Sequence, residues 1–90
     1  MNVSIDQVVQ KVKEIIAQQF DLKAEEIKGE AEFKKDLGAD SLSMVEMAMA
    51  IEDAFQTEEI FSDDDLDKIV TVQNAIDHVF RYFSRRGTSD

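Results

Sequence analysis

The sequence has no cysteine and no proline, and only three of its 90 residues are glycine. The absence of cysteine excludes a disulfide scaffold, a thiolate metal site and a cysteine nucleophile. Any thiol chemistry must therefore arrive on an attached group. With 43% apolar residues the chain is expected to fold, and the scarcity of glycine and absence of proline favour helices over a turn-rich sheet.

Long apolar runs are also missing. No stretch approaches the roughly 20 residues that a membrane-spanning helix needs, so we expect no membrane insertion. The first ten residues, MNVSIDQVVQ, lack the basic start and apolar stretch of a secretory signal. The cytoplasm is the expected compartment, and a processed organellar protein would look the same.

Basic residues are absent from the middle of the chain. Eleven acidic residues and no lysine or arginine occur from Asp36 to Asp67, in a chain whose net charge is −10. Such a stretch repels nucleic acid and anionic membranes and attracts basic protein surfaces. A solvated face that only aids solubility is the alternative reading, but the concentration of charge around one motif favours a docking surface.

The spacing of apolar residues predicts three amphipathic helices and one short helix. Each begins at a side chain that can accept hydrogen bonds from the free N–H groups of the first turn. The first helix is predicted over residues 5–20 with Ser4 as its cap, and the second over residues 41–55 with Asp40 as its cap. The short helix begins after its cap Ser62 and extends to about residue 69. The last helix is predicted over residues 71–83; it begins at Thr71, and Arg85, Arg86 and Gly87 end it.

Residues 21–40 have no sustained period, which predicts a long ordered crossover between the first two helices. Loops of this length are uncommon in small domains and are often functional. The predicted fold is all-α: a small four-helix bundle with a long first crossover, in a single domain over residues 1–90 with a disordered tail at 86–90. We expect a monomer. Four apolar side chains are expected to anchor the crossover: Leu22, Ile27, Phe33 and Leu37.

The segment D-L-G-A-D-S-L, residues 36–42, joins this crossover to the second helix. It resembles the prosthetic-group attachment motif of acyl carrier proteins, with Ser41 in the place of the modified serine. A D-S-L triplet alone is an ordinary helix start, whereas seven residues at this position in an acidic helical chain are far more specific. The resemblance runs from about Val8 to Phe83 and includes Phe33, Glu46, Met49, Ile51, Glu52, Asp53, Phe55 and the segment D-K-I-V-T-V-Q-N-A-I from Asp67.

The resemblance implies how the site works. A separate phosphopantetheinyl transferase would move 4'-phosphopantetheine from coenzyme A to the Ser41 hydroxyl, and the arm would carry growing acyl chains as thioesters in type II fatty-acid synthesis. A dedicated carrier for a polyketide or another acyl product stays open. Gly38, Asp40 and Leu42 would surround the attachment point. Gly38 lets the chain turn tightly, and the negative phosphodiester would lie at the positive end of the second helix.

The resemblance also implies a docking face on the second helix for fatty-acid synthesis enzymes with basic patches. Carboxylates would meet lysine and arginine on these partners, and an apolar strip would lie between the carboxylates. The apolar residues follow one another at spacings of three and four, and we expect the first and last to be partly exposed. The carboxylates are Glu46, Glu52 and Asp53, and the strip is Leu42, Val45 and Met49.

Two features depart from the acyl carrier pattern. Ser43 and Ala54 stand where many members of the family carry acids, which would weaken or retune partner contacts. The connector over residues 56–64 is about two residues longer than usual and lacks the common proline. The geometry of this connector is therefore not predicted.

A calcium site is a competing hypothesis. Asp63, Asp65 and Asp67 alternate as the start of an EF-hand loop does, but Lys68 occupies the glycine position and Asn74 occupies the glutamate position. The pattern fails, and no metal site is predicted.

An enzyme is the least favoured class. A nucleophilic serine needs a base within hydrogen-bond reach. The single histidine, His78, has polar neighbours on the last helix and is expected at the surface. A helical adaptor without a prosthetic group would share the bundle and the acidity, and only modification of Ser41 separates it from a carrier.

Overall fold

The computed structural model describes residues 5–57 and 60–85. Within these ranges it is helical, with one isolated antiparallel bridge between Glu32 and Thr71 and no extended strand. The predicted all-α fold with three long helices and a short one is confirmed. The predicted Ser4 cap and the 86–90 tail lie outside the described residues. The helices are α1 (Ile5–Gln19), α2 (Ser41–Ala54), α3 (Asp63–Lys68) and α4 (Val72–Arg85), with a 3₁₀ turn at Ala24–Glu26.

The core forms where α1, α2 and α4 face one another. Each contributes a row of buried apolar side chains at the three-and-four spacing that the sequence shows. Burying one such side chain completely contributes about 1.5–3 kcal/mol, so these rows hold the three long helices together. The rows are Val8, Val12, Ile16 and Ala17 on α1, Met44, Met47, Ala48 and Ile51 on α2, and Val72, Ala75, Ile76 and Val79 on α4.

The crossover is anchored by Ile27 and Phe33, which are 3% and 1% exposed. The expectation that Leu22 also anchors the crossover is wrong, because this residue is 38% exposed. Asp21 has a left-handed backbone (φ 59°) and the Leu22 N–H donates to the Ala17 carbonyl at 2.8 Å, a helix-ending turn that directs Leu22 outward. Leu37 is only partly buried.

Backbone hydrogen bonds fasten the crossover to the start of α4. The Phe33 N–H donates to the Val70 carbonyl at 2.9 Å, and the Val72 N–H donates to the Ala31 carbonyl at 2.9 Å. The Gln73 N–H donates to the Gly29 carbonyl at 2.8 Å. These hydrogen bonds order the crossover, which has few buried apolar side chains.

The starts of the two C-terminal helices lie where the sequence predicts them. Ser62 caps α3: its hydroxyl accepts from the Asp65 N–H at 3.1 Å, while the Asp65 carboxylate accepts from the Ser62 N–H at 2.9 Å. Thr71 and Asn74 make the same reciprocal pair before α4, at 3.1 and 3.0 Å.

None of the helices in the described ranges combines the length and the apolar character that a membrane span requires.

Candidate functional site

Ser41 is the first residue of α2 and is exposed. Asp40 precedes it with an extended backbone and caps the helix, because its carboxylate accepts from the Ser43 N–H and the Ser43 hydroxyl, each at 2.8 Å. Gly38 has φ +71°, and a Cβ at this position would meet no atom within 4 Å. Backbone conformation, and not lack of space, therefore demands glycine there.

The hydrogen bonds at the start of α2 favour the ionised form of the Asp40 carboxylate. The Ser43 N–H, followed by the Ser43 hydroxyl, stabilises its ionised form and lowers the pKa of Asp40 below the usual range. Its charge therefore remains at the positive end of α2 at neutral pH. Ser43 serves as the donor that holds this cap.

A groove of about 330 Å³ lies beside Ser41, between α2 and α3. This volume is near the lower end of the range for small-molecule sites, about 300–1,000 Å³. Phe33 and Met44 contribute a buried apolar floor, and Val45 and Val70 are apolar and exposed at the rim. The groove therefore offers an apolar surface beside Ser41. Its lining residues are Glu32, Phe33, Lys34, Ser41, Met44, Val45, Asp63, Leu66, Asp67, Ile69 and Val70.

An apolar strip runs along the outer face of α2. Leu42, Val45 and Met49 are 66%, 41% and 62% exposed, so the predicted exposure of Leu42 and Met49 is confirmed. The other large apolar residues of α2, Met44, Met47 and Ile51, are buried in the core, so this helix carries apolar side chains on two sides. Leaving large apolar side chains exposed side by side is typical of an interaction surface.

The three carboxylates predicted for docking differ in their surroundings. Asp53 is exposed. Glu46 is exposed and accepts a hydrogen bond from the Gln19 side chain on α1 at 3.0 Å. Glu52 is only partly exposed, and its Oε2 accepts from the backbone N–H of Phe61 at 3.1 Å. The sequence spacing does not reveal this internal contact of Glu52.

The expectation that His78 is a surface histidine is wrong. Its side chain is 21% exposed, its ring stacks on Phe61 with centroids 4.9 Å apart, and its Nε2 lies 2.6 Å from the Ile60 carbonyl oxygen. These contacts join residues 17 and 18 positions apart, so no local pattern predicts them. His78 does not line the groove beside Ser41.

Of the aspartates considered for calcium, Asp63 and Asp65 lie in the first turn of α3, and Asp67 lines the groove beside Ser41. Asp65 completes the capping box of Ser62. Among the residues that the structure describes, no three histidine, aspartate or glutamate side chains are arranged to hold a metal ion.

Comparison with known proteins decides the family. Residues 10–79 match the family described as the phosphopantetheine attachment site. The chain belongs to the acyl carrier protein family. One similar solved structure is the acyl carrier protein from Enterococcus faecalis: it is 40% identical, the alignment covers 86% of this chain and 95% of that one, and the TM-score is 0.68.

Membership makes this protein a carrier and not an enzyme, with acyl groups as cargo and enzymes as partners in general. Its prosthetic group is covalently bound 4'-phosphopantetheine. The Ser41 region of the carrier fits such a group: it offers an exposed hydroxyl residue, the positive end of a 14-residue helix, and an adjoining groove with an apolar floor.

Proposed function

We propose that this carrier holds its phosphopantetheine arm on Ser41 and presents growing acyl chains, as thioesters, to the enzymes of type II fatty-acid synthesis in the cytoplasm. One observation carries the proposal. The exposed Ser41 stands at a helix start with the groove on one side, and the exposed residues Leu42, Val45 and Met49 follow it on the same helix. The attachment site, the groove and the docking surface would thus all lie along α2.

In the proposed loading step Ser41 is the acceptor and the transferase is the catalyst. A bond forms between Ser41 Oγ and phosphorus, the pyrophosphate bond of coenzyme A breaks, and adenosine 3',5'-bisphosphate leaves. We assign the serine proton to a base of the transferase, because His78, the single histidine of the sequence, does not line the groove beside Ser41. Once bound, the arm supplies the terminal thiol that carries the acyl group.

The neighbours of Ser41 would prepare the hydroxyl for this step. Gly38 turns the crossover into the site, and Asp40 fixes the first turn of α2 through Ser43. The Asp40 carboxylate accepts both hydrogen bonds from Ser43 at the same oxygen, Oδ1. Leu42, next in the chain, is the most exposed large apolar residue of the described part and would contact the transferase first.

Docking would combine charge and apolar contact. Glu46 and Asp53 are exposed and would attract basic patches on partners, and Glu52 would add its charge while retaining the bond to Phe61. Rim charges of this type mainly raise the association rate. The apolar strip would instead govern how long a complex lasts.

The test is intact mass of the protein from its native host, together with loading in vitro by a phosphopantetheinyl transferase and coenzyme A. The expected result is one arm per chain, with fatty acyl groups of even and increasing length as cargo. Ser41→Ala should take no arm and retain its helicity, whereas the matched control Ser84→Ala, an exposed serine on α4, should load normally. An arm on Ser41→Ala, or cargo of polyketide type, would contradict the proposal.

A further inference from the structure

The short helix α3 forms one side of the groove beside Ser41 but contributes no buried side chain of its own. Asp63, Leu66 and Asp67 line the groove, and of these only Leu66 packs partly against the core. Elements with few buried contacts open most easily. The position of α3 therefore depends on the residues that flank it.

One side chain of α4 holds the N-terminal flank of α3. His78 Nε2 lies 2.6 Å from the Ile60 carbonyl oxygen and 3.4 Å from Asp65 Oδ2, and the imidazole ring stacks on Phe61. Ile60 and Phe61 immediately precede the cap of α3, and Asp65 lies in its first turn. All three contacts thus fix the same end of α3 to α4.

The two oxygen atoms nearest to Nε2 determine which ring nitrogen of His78 carries the hydrogen. Both neighbours of Nε2 are acceptors, a carbonyl oxygen and a carboxylate oxygen, so Nε2 must be the protonated nitrogen and donate. Ile60 is only 2% exposed, so water has little access to its carbonyl. Removing the donor would leave a buried acceptor unpaired, which is more costly than loss of an exposed hydrogen bond.

His78 acts from the side of α3 opposite to the groove. Together with Ile60, Asp65 and Lys68 it lines a second cavity of about 630 Å³, and Ser41 lines only the first. Residues of α3 line both cavities, so the helix separates them. A shift of α3 toward or away from α4 must change the width of the groove beside Ser41.

We propose that His78 is a positioning residue of the carrier site: it fixes α3 against α4 and thereby sets the width of the groove that shelters the acyl group. The sheltering of cargo rests on the function proposed above. The positioning of α3 does not, because it can be measured on the unloaded chain.

The first experiment measures amide hydrogen exchange in the unloaded protein. His78→Phe keeps a ring that can stack on Phe61 but removes the donor, whereas His78→Gln offers an N–H group at a similar reach. We expect exchange in α3 to rise by about tenfold or more in His78→Phe, relative to α1 and α2, and to return near the parent value in His78→Gln. Val12→Ala, which opens a cavity at a fully buried site on α1, is the control for general destabilisation. If His78→Phe accelerates exchange in all helices as that control does, the proposal is overturned.

The second experiment measures cleavage of the acyl thioester by hydroxylamine in loaded protein. His78→Phe should react several-fold faster than the parent and His78→Gln close to it, while all three accept the arm equally well. Equal cleavage of parent and His78→Phe would overturn the role of His78 in setting the groove. A parent that never takes an arm at Ser41 would contradict the proposed function instead, and the exchange measurement would still decide the position of α3.

Discussion

The Glu52 carboxylate on α2 accepts a hydrogen bond from the backbone N–H of Phe61, 3.1 Å away, and ties α2 to the segment that leads into α3. Phe61 is in turn stacked on His78 of α4. A residue expected to serve partners is thus also part of the internal structure. Removal of its side chain should therefore affect both folding and docking, whereas a substitution that keeps the acceptor need not affect folding.

Glu52→Gln should separate the two roles. Glutamine keeps an oxygen that can accept from the Phe61 N–H but removes the charge, so we expect a stability loss below about 1 kcal/mol. Glu52→Ala removes the acceptor and should cost about 1–3 kcal/mol, because Phe61 is buried and its N–H would lose its partner. Urea unfolding of both variants measures the difference, and equal losses would show that the hydrogen bond does not stabilise the fold.

Gly38→Ala should destabilise the protein by about 1–2 kcal/mol, because an L-residue with a Cβ disfavours the left-handed backbone found there. Gly38→Asn should lose less, since asparagine adopts this conformation more readily. Both are compared with the parent by urea unfolding. Since a Cβ at residue 38 meets no neighbour, a loss of equal size in the two variants would contradict the conformational explanation.

The contrast between Ser41 and His78 shows what the sequence could predict. The start of α2, its Asp40 cap and the Ser62 cap of α3 depend on residues one to three positions apart, and the structure has them as predicted. The stacking of His78 on Phe61 depends on how α4 packs beside the connector, which no local period records. The same reason explains why the hydrogen bonds between residues 29–33 and 70–73 were not predicted. These bonds order the crossover through backbone atoms, so the pattern of side chains along the sequence does not indicate them.

Acid should weaken the fold through Asp65. The Ser62 backbone N–H, opposed by partial burial and helped by the Ser62 hydroxyl, His78 and Lys68, lowers the pKa of Asp65. A carboxyl group with a lowered pKa in the folded state stabilises the protein above its unfolded pKa, about 3.9, and this contribution is lost as the pH falls through the folded value.

Asp65→Asn should therefore be less stable than the parent at pH 7, and the difference should shrink as the pH falls below about 4. Asp64→Asn is the matched control: it removes a charge from the same first turn, worth about 0.3–1 kcal/mol, at a side chain outside the capping box. The measurement is thermal unfolding from pH 7 to pH 3. If the two variants lose equal stability at every pH, the charge of Asp65 in its bond to Ser62 adds nothing beyond the helix dipole.

The apolar strip should act on the lifetime of complexes. Leu42→Ala and Met49→Ala should change folding stability by less than about 0.5 kcal/mol, because both side chains are more than half exposed. We expect faster dissociation from the transferase, by about fivefold or more, with the salt dependence of association unchanged. Surface-bound kinetics at two ionic strengths measures both quantities. A variant that alters only the association rate would contradict the assignment of the strip.

The negative charge on α2 should instead affect the rate at which the carrier associates with its partners. Glu46→Lys should slow arm loading and acyl transfer by about two- to tenfold and flatten their salt dependence, because it reverses the attraction of the acidic stretch for basic partners. Salt screens such forces over about 8 Å at physiological ionic strength, so the parent should slow as salt is added while the variant changes little.

Glu14→Lys is the matched control, because it makes the same charge change at an exposed position on α1. Glu46 also accepts a bond from Gln19, so Gln19→Ala shows separately what loss of that contact does. If Glu14→Lys slowed loading as much as Glu46→Lys, net charge alone would explain the effect, and the acidic side of α2 would be a solvated surface and not a docking face.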